Sequence, residues 1–279
     1  MAGTDTTTAE PPGSYIAQMG LRFEPGEGHT RARLDVIPAL CRAPGLVRIG
    51  VLTVLADCVA GFDALSAFDM AWVGTSELAI AGPFCSAGSG EVVADARLLK
   101  RRRTGGVFSV TVRDAGPGPG GGPLASATAT LSLLSQQPGT KLGSAIAQHP
   151  GAQGRAAPAA SLDELIRPEP VDGGGLRLAI TDNVRNSWQV LSGGIAALVA
   201  ELAAESAAGA ALGGAWLVDG LGLHFLAPGR LGPIEARAEV LSGPGPGRAP
   251  VAHLGVRLTD AGADGRLIVA ASATARPLD

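Results

Sequence analysis

The chain repeats itself, and this repetition restricts the available folds more than any other feature. "IGVLTVLAD" from Ile49 aligns with "GGIAALVAE" from Gly193, pairing Gly50 with Gly194 and Asp57 with Glu201 at an offset of 144 residues. Ala71-Trp72-Val73 pairs with Ala215-Trp216-Leu217 at the same offset. "GEVVADARLL" (90–99) then resembles "GPIEARAEVL" (232–241), "RDAG" (113–116) resembles "TDAG" (259–262), and "ASATA" at 125–129 recurs at 271–275. Chance matching in Ala/Gly-rich sequence does not account for a shared tryptophan and an identical pentapeptide in the same order. Self-similarity at a fixed offset marks a duplicated structural unit. The units span 15–135 and 167–279, after a disordered N-terminus at 1–14. Between them, 136–166 is rich in Gly, Pro, Ala and Ser and lacks a sustained period, which suits a mostly mobile linker.

Each unit has the same coarse order. A strand ("YIAQMGLRFE" or "GLRLAITDN") leads through an irregular stretch to one helix, and three or four strands in antiparallel meander style follow. In the first unit these are "AWVGTSELAI", "GEVVADARLL", "VFSVTVRD" and "LASATATLSLL", with turn residues between them. The helix runs from about Gly50 to Leu65, and Val51, Val54, Leu55, Cys58, Val59 and Phe62 recur along it as one apolar stripe. Ile195, Leu198, Val199, Leu202 and Ala203 repeat the stripe. The expected class is α+β: two domains, each a curved antiparallel sheet around one long helix, because the stripe and the alternating strand faces must cover each other.

Composition removes several functional classes. A net charge of −3 leaves no basic face dense enough to neutralise many phosphates, so no nucleic-acid partner is expected. Three cysteines, Cys41, Cys58 and Cys85, have neither CxxC nor Cys/His metal spacing and suit a reducing compartment. The N-terminus lacks a basic n-region and an apolar h-region, and no 18 uninterrupted apolar residues occur, so no membrane partner and a cytoplasmic location are expected. His29, His149, His224 and His253 are scattered and form no ligand cluster.

An aspartate in the middle of an apolar helix needs an explanation. Gly50, Thr53, Asp57 and Gly61 share one helical face, as do Gly194, Ala197 and Glu201. A solvated face would carry Lys, Arg and Gln as well, whereas both helices are almost free of other polar side chains here. The acid also recurs seven residues after a glycine in both units. Thr53, one turn before Asp57, is a candidate supporting residue. Cys58 points toward the stripe and reads as core.

"G-x6-D" opening a lone apolar helix, then a strand, a "G-x-[VI]-x-A" strand and a "V-x-D-x-G" turn, resembles the hotdog-fold acyl-CoA thioesterases of the PaaI-like type. The resemblance covers both units and implies a tandem double hotdog. Upstream of the second helix, "NSWQVLSGG" (186–194) resembles the family's "N-x-x-G-x-x-H-G-G". It places Asn186 at the asparagine position, Gly193 at the oxyanion-donating glycine and Glu201 at the acid, with Ser192 replacing histidine and Gln189 the first glycine. "RAPGLVRIG" (42–50) keeps Gly45 but has Arg42, Arg48 and Ile49 at the other motif positions.

The chemistry agrees with that carry-over. Thioester hydrolysis needs a donor where the carbonyl oxygen gains charge, which the first turn of a helix supplies, and a carboxylate to activate water or attack. One helix cannot supply both to one carbonyl, since seven residues span about 10 Å at 1.5 Å each. Two helices can. The resemblance implies sites between the units. One joins Asp57 to the Gly193 amide and Asn186, with Thr53 and Ser192 beside them; the other joins Glu201 to the Ile49 amide, with Arg42 and Arg48 nearby or merely solvated. The implied activity is acyl-CoA hydrolysis without metal or redox cofactor, coenzyme A being part of the substrate. Lys100, Arg101, Arg102 and Arg103 form either a solvated hairpin end or a clamp for its phosphates. A homodimer of such chains is compatible with this reading. The alternative is a non-catalytic acyl-CoA-binding hotdog with degenerate sites, because the histidine is missing from both motifs. A hydratase is the weaker third option, since no histidine lies near either acid.

Overall fold

A computed structural model describes residues 15–26, 29–43, 45–69, 71–83, 90–116, 123–134, 166–172, 174–186, 188–245 and 250–278. The N-terminus at 1–14, the linker up to residue 165, Cys85, His149 and residues 117–122 lie outside the described residues.

The first half contains α1 (Tyr15–Met19), β1 (Arg22–Gly26), β2 (His29–Asp35), β3 (Cys41–Ala43), β4 (Leu46–Val47), α2 (Ile49–Ala67), β5 (Val73–Ala81), β6 (Glu91–Arg102), β7 (Gly105–Asp114) and β8 (Pro123–Leu133). The second contains β9 (Glu169–Val171), β10 (Gly175–Leu178), α3 (Gly193–Leu212), β11 (Trp216–Phe225), β12 (Ile234–Ser242), β13 (Ala252–Asp260) and β14 (Arg266–Pro277).

Twelve strands form one antiparallel sheet in the order β1-β2-β6-β7-β8-β5-β11-β14-β13-β12-β10-β9. This order reads the same from both ends once repeat counterparts are matched. The halves join where β5 pairs with β11, through Leu78 opposite Leu223 and Ala79 opposite Gly222. Past the bulges at Ser76 and Asp219, Leu78 and Leu221 are structural counterparts, as are Ala79 and Gly222, so an approximate two-fold axis passes through the Ala79–Gly222 pair. Helix α2 packs on β2, β5, β6, β7 and β8, and α3 packs on the corresponding β10 to β14.

Two sequence expectations change. "YIAQM" is a short helix, because Tyr15 and Met19, one turn apart, are both buried and Gly20 at φ 75° ends the turn; the strand begins only at Arg22. The stretch read as irregular contains β2, whose Ala32 and Leu34 alternate into the core, and the β3–β4 hairpin. That hairpin has a counterpart in the second half, where Arg185 bridges Leu191 as Cys41 pairs with Val47.

The helices are buried on more than one stripe. Every residue from Ile49 to Ala56 is buried, as is nearly every one from Gly194 to Glu205. The apolar stripe meets strands, and the small-residue face meets the other helix. By length and composition α2 and α3 could each cross a bilayer, with mean hydropathy of 1.7 and 1.6; in this fold they are packed between the sheet and each other.

The helix contact is antiparallel and depends on glycine. A Cβ on Gly50 would stand 2.6 Å from the Leu198 backbone, and one on Gly194 would stand 2.8 Å from the Val54 backbone. These contacts are exchanged by the repeat. Gly50→Ala or Gly194→Ala should therefore destabilise the protein by about 1–3 kcal/mol through forced separation of the helices. Gly61→Ala is the control: a Cβ there meets nothing within 4 Å, and relief of glycine's unfolded-state freedom should stabilise by about 0.5–1 kcal/mol. Thermal or urea unfolding of the three variants measures the contrast.

Candidate active site

The antiparallel crossing sets the acid of each helix against the first turn of the other. Asp57 Oδ2 lies 3.0 Å from where a Gly193 Cβ would stand, and the Phe225 ring lies 3.3 Å from the same point. Gly193 therefore has to lack a side chain for the carboxylate and the ring to approach. Asp57 Oδ1 accepts a hydrogen bond of 2.6 Å from the Thr75 hydroxyl on β5. Asp57 remains half-buried. Burial raises its pKa above the ordinary carboxylate value, and the Thr75 hydrogen bond offsets part of that rise.

The donor side comes from the hairpin before α3. Asn186 Oδ1 accepts from the backbone N–H of Trp188 at 3.0 Å and of Val190 at 3.3 Å, which ties the loop together. Gln189 takes the left-handed conformation at φ 59°, where its counterpart Gly45 sits at φ 70°. Ser192 precedes α3 and is buried, yet its side chain does not cap the helix. It hydrogen-bonds the hydroxyl of Tyr15, whose pKa is pushed well up, chiefly by burial and also by Cys58 and Asp57. Among the described residues, no acceptor is bonded to the N–H of Gly193 or Gly194. The first turn of α3 holds no acid. Its free donors and positive dipole end thus face the half-buried carboxylate of α2.

The counterpart position is closed. Glu201, one methylene longer than Asp57, is fully buried, and its Oε2 accepts a 3.0 Å hydrogen bond from Gly50 N–H. The sequence reading named the Ile49 amide as donor; the observed donor is Gly50, one residue on. Arg48 Nη1 sits 3.0 Å from Glu205 and 3.4 Å from Glu201, and Arg42 Nε sits 3.2 Å from Glu205. These arginines are not solvated charges but half of a four-residue cluster over the start of α2. Val218, the counterpart of Thr75 on the residue before each bulge, has no hydroxyl to give Glu201, and the bulged Asp219 contacts Thr274 and Arg276 as the bulged Ser76 contacts Thr130 and Ser132. The pKa of Glu201 is pushed up to about 8, by burial first and then by Glu205, against the opposing effects of Arg48 and Gly50 N–H.

The remaining expected residues fall elsewhere. The Thr53 hydroxyl donates to the Ile49 carbonyl of its own helix at 2.7 Å, so the hydroxyl beside Asp57 is that of Thr75, not Thr53. Lys100, Arg101, Arg102 and Arg103 are exposed at the β6–β7 turn, with Arg101 5.1 Å from the ring centre of Phe68. Thr75, Tyr15 and Phe225 escaped the sequence reading. Thr75 corresponds to Val218 only once the bulges are known, and Tyr15 and Phe225 carry no sequence signal. Among the described residues, no three His, Cys, Asp or Glu side chains gather as metal ligands.

No family model and no curated protein matches this sequence. Solved structures do match in fold. The tesB protein of Mycobacterium avium subsp. paratuberculosis aligns with a TM-score of 0.62 at 15% identity, over 95% of this chain and 98% of that one. Acyl-CoA thioesterase II TesB2 from Mycobacterium marinum aligns at 0.55 and 12% identity, over 94% and 97%. A 12:0-ACP thioesterase from Umbellularia californica aligns at 0.58 and 13% identity, over 89% and 94%. The likeness is to whole chains named as thioesterases, of thioesterase II and of acyl-ACP type, and at these identities it establishes the fold.

A carboxyl whose folded pKa is raised keeps its proton where the unfolded chain has lost it. The stability Glu201 contributes is full below about pH 4.5 and is lost as pH rises through about 8, at up to about 1.4 kcal/mol per pH unit. Glu201→Gln retains an acceptor for Gly50 N–H and does not titrate. Unfolding free energies between pH 5 and 9 should fall less steeply in this variant than in the parent; parallel curves would contradict the protonated state assigned to Glu201.

Proposed function

We propose that the chain is an acyl-CoA thioesterase, a tandem of two hotdog units whose interface forms one working site centred on Asp57. The supporting observation is a half-buried carboxylate set against unpaired first-turn amides of the opposing helix. The whole-chain fold likeness to proteins named as thioesterases supports the same reading. The units are residues 15–135 and 167–279. The reading fits a soluble cytoplasmic enzyme and requires no metal or redox cofactor.

In this reading the thioester carbonyl oxygen lies at the Gly193 and Gly194 N–H groups, and the Asn186 side-chain nitrogen, with no partner among the described residues, is available beside them. Asp57 takes a proton from water as its oxygen bonds to the carbonyl carbon. The amides hold the negative charge that develops, where fixed donors act without reorganising. Collapse breaks the carbon–sulfur bond, and the departing thiolate takes the proton held by Asp57, so water and thioester become free acid and thiol. The Thr75 hydroxyl holds the carboxylate in place. A base with a raised pKa suits proton transfer near neutral pH.

Glu201 does not serve a second site, because its donor is already occupied and arginine covers it. Across a panel of acyl-CoA thioesters, Asp57→Asn should lower kcat/KM by about 10²- to 10⁴-fold, whereas Glu201→Gln should retain most activity. Full activity in Asp57→Asn removes the assignment. Thermal stabilisation by acyl-CoA without turnover in the parent would instead mark a binding protein. The acid limb of the pH profile should lie above the ordinary aspartate value, since Asp57 works ionised and its pKa is raised. Thr75→Val, which removes a hydrogen bond to the charged form, should move that limb to higher pH.

A further inference from the structure

The outer face of the sheet, turned away from the helices, carries a second feature close to Asp57. Gly74 of β5 stands opposite Ser132 of β8, Ser132 opposite Gly105 of β7, and Gly105 opposite Arg102 of β6. Directly opposed residues of an antiparallel ladder share a face. The adjacent row of Thr75, Leu131, Gly106 and Arg101 is the helix-facing one, since Thr75 bonds Asp57 and Arg101 stacks on Phe68, the residue that ends α2. The Gly74 row therefore faces outward. It is a floor with no side chain larger than serine until Arg102, about 14 Å across three strand spacings.

The two ends of this floor differ in chemistry. At the Gly74 end, the Leu134 side chain lies 3.0 Å and the half-buried Trp188 3.3 Å from where a Gly74 Cβ would stand, so an apolar wall closes the floor there, and the Trp188 ring centre is 5.4 Å from that of Trp72. At the other end Arg102, and Lys100 two residues back on the same face, are exposed, and neither pairs with an acid among the described residues. Arg103 adds charge at the turn. By contrast Arg22, Arg31, Arg33, Arg113, Arg177 and Arg276 each meet a carboxylate. The next outward row is Lys100, Val107, Thr130 and Glu77. Its acid, Glu77, lies at the aromatic end and is engaged by Thr130 and His224.

A flat aromatic surface facing unneutralised cations suits a purine that carries phosphates: the ring stacks, and the phosphates meet guanidinium and ammonium groups. We propose that the floor between Trp188 and Arg102 binds the adenosine 3′,5′-bisphosphate end of coenzyme A, with adenine on the Trp72–Trp188 pair and phosphates on Lys100, Arg102 and Arg103. The inference rests on the thioesterase reading and gives that site its carrier preference. Gly74 and Thr75 are neighbours in the chain, so the nucleotide end and the thioester end lie on opposite faces of the start of β5.

Titration of the full chain with adenosine 3′,5′-bisphosphate, read by tryptophan fluorescence and calorimetry, tests binding without turnover. The expected result is saturable quenching that Trp188→Leu largely removes, and a Kd about tenfold or more weaker in Arg102→Glu. Hydrolysis of one acyl group carried on coenzyme A and on pantetheine tests the preference: kcat/KM should favour coenzyme A by about tenfold or more, and both substitutions should bring the ratio toward one. If the parent hydrolyses neither thioester, the thioesterase reading fails while the bisphosphate titration still decides the floor. Bisphosphate binding indifferent to both substitutions overturns the inference, as does a parent ratio of one. A preference for acyl carrier protein thioesters that disappears in Arg102→Glu also overturns it, by assigning the basic rim to an acidic protein.

Discussion

Backbone contact between α2 and α3 is the constraint on which the rest of the molecule depends. Gly50 against Leu198 and Gly194 against Val54 allow two helices to approach more closely than side chains permit. Because the contact is antiparallel and near the N-termini, an acid seven residues beyond each glycine falls opposite the first turn of the partner helix. A single helix keeps those groups about 10 Å apart. The crossing removes that separation, and pairing of β5 with β11 in the same two-fold relation holds the crossing in place.

Symmetry of the backbone does not carry through to the side chains. Glu201 has one more methylene than Asp57 and spends that reach on Gly50 N–H, which occupies that first-turn donor. Asp57 is shorter and is held by Thr75, so the amides opposite it stay unpaired. Arg48 and Arg42 stand where the other half has Ser192 and Asn186, and with Glu205 they bury charge over the start of α2. A few side chains thus separate a position that solvent reaches from one that it does not.

Duplication, the single helix of each half and the later strands were legible because each rests on local periodicity or a fixed offset. The error at Tyr15–Met19 arose because five residues are too few to show a period, and their helix is stabilised by burial of Tyr15 and Met19 rather than by propensity. β2 went unread because His29–Asp35 alternates charged residues with only two strongly buried ones. The choice of Thr53 beside Asp57 followed helical spacing correctly, but a threonine inside a helix can bond the carbonyl four residues back, and this one does.

The sequence by itself determined that the chain repeats one pattern, that each copy centres on a small-residue helix with one acid, and that no helix can bring this acid to its own first turn. These follow from spacing along a chain of known rise. Only the tertiary structure decided which acid remains reachable, because that depends on distances across the helix crossing. There, the length of one side chain and the presence of one hydroxyl determine whether the opposing amides are occupied or free.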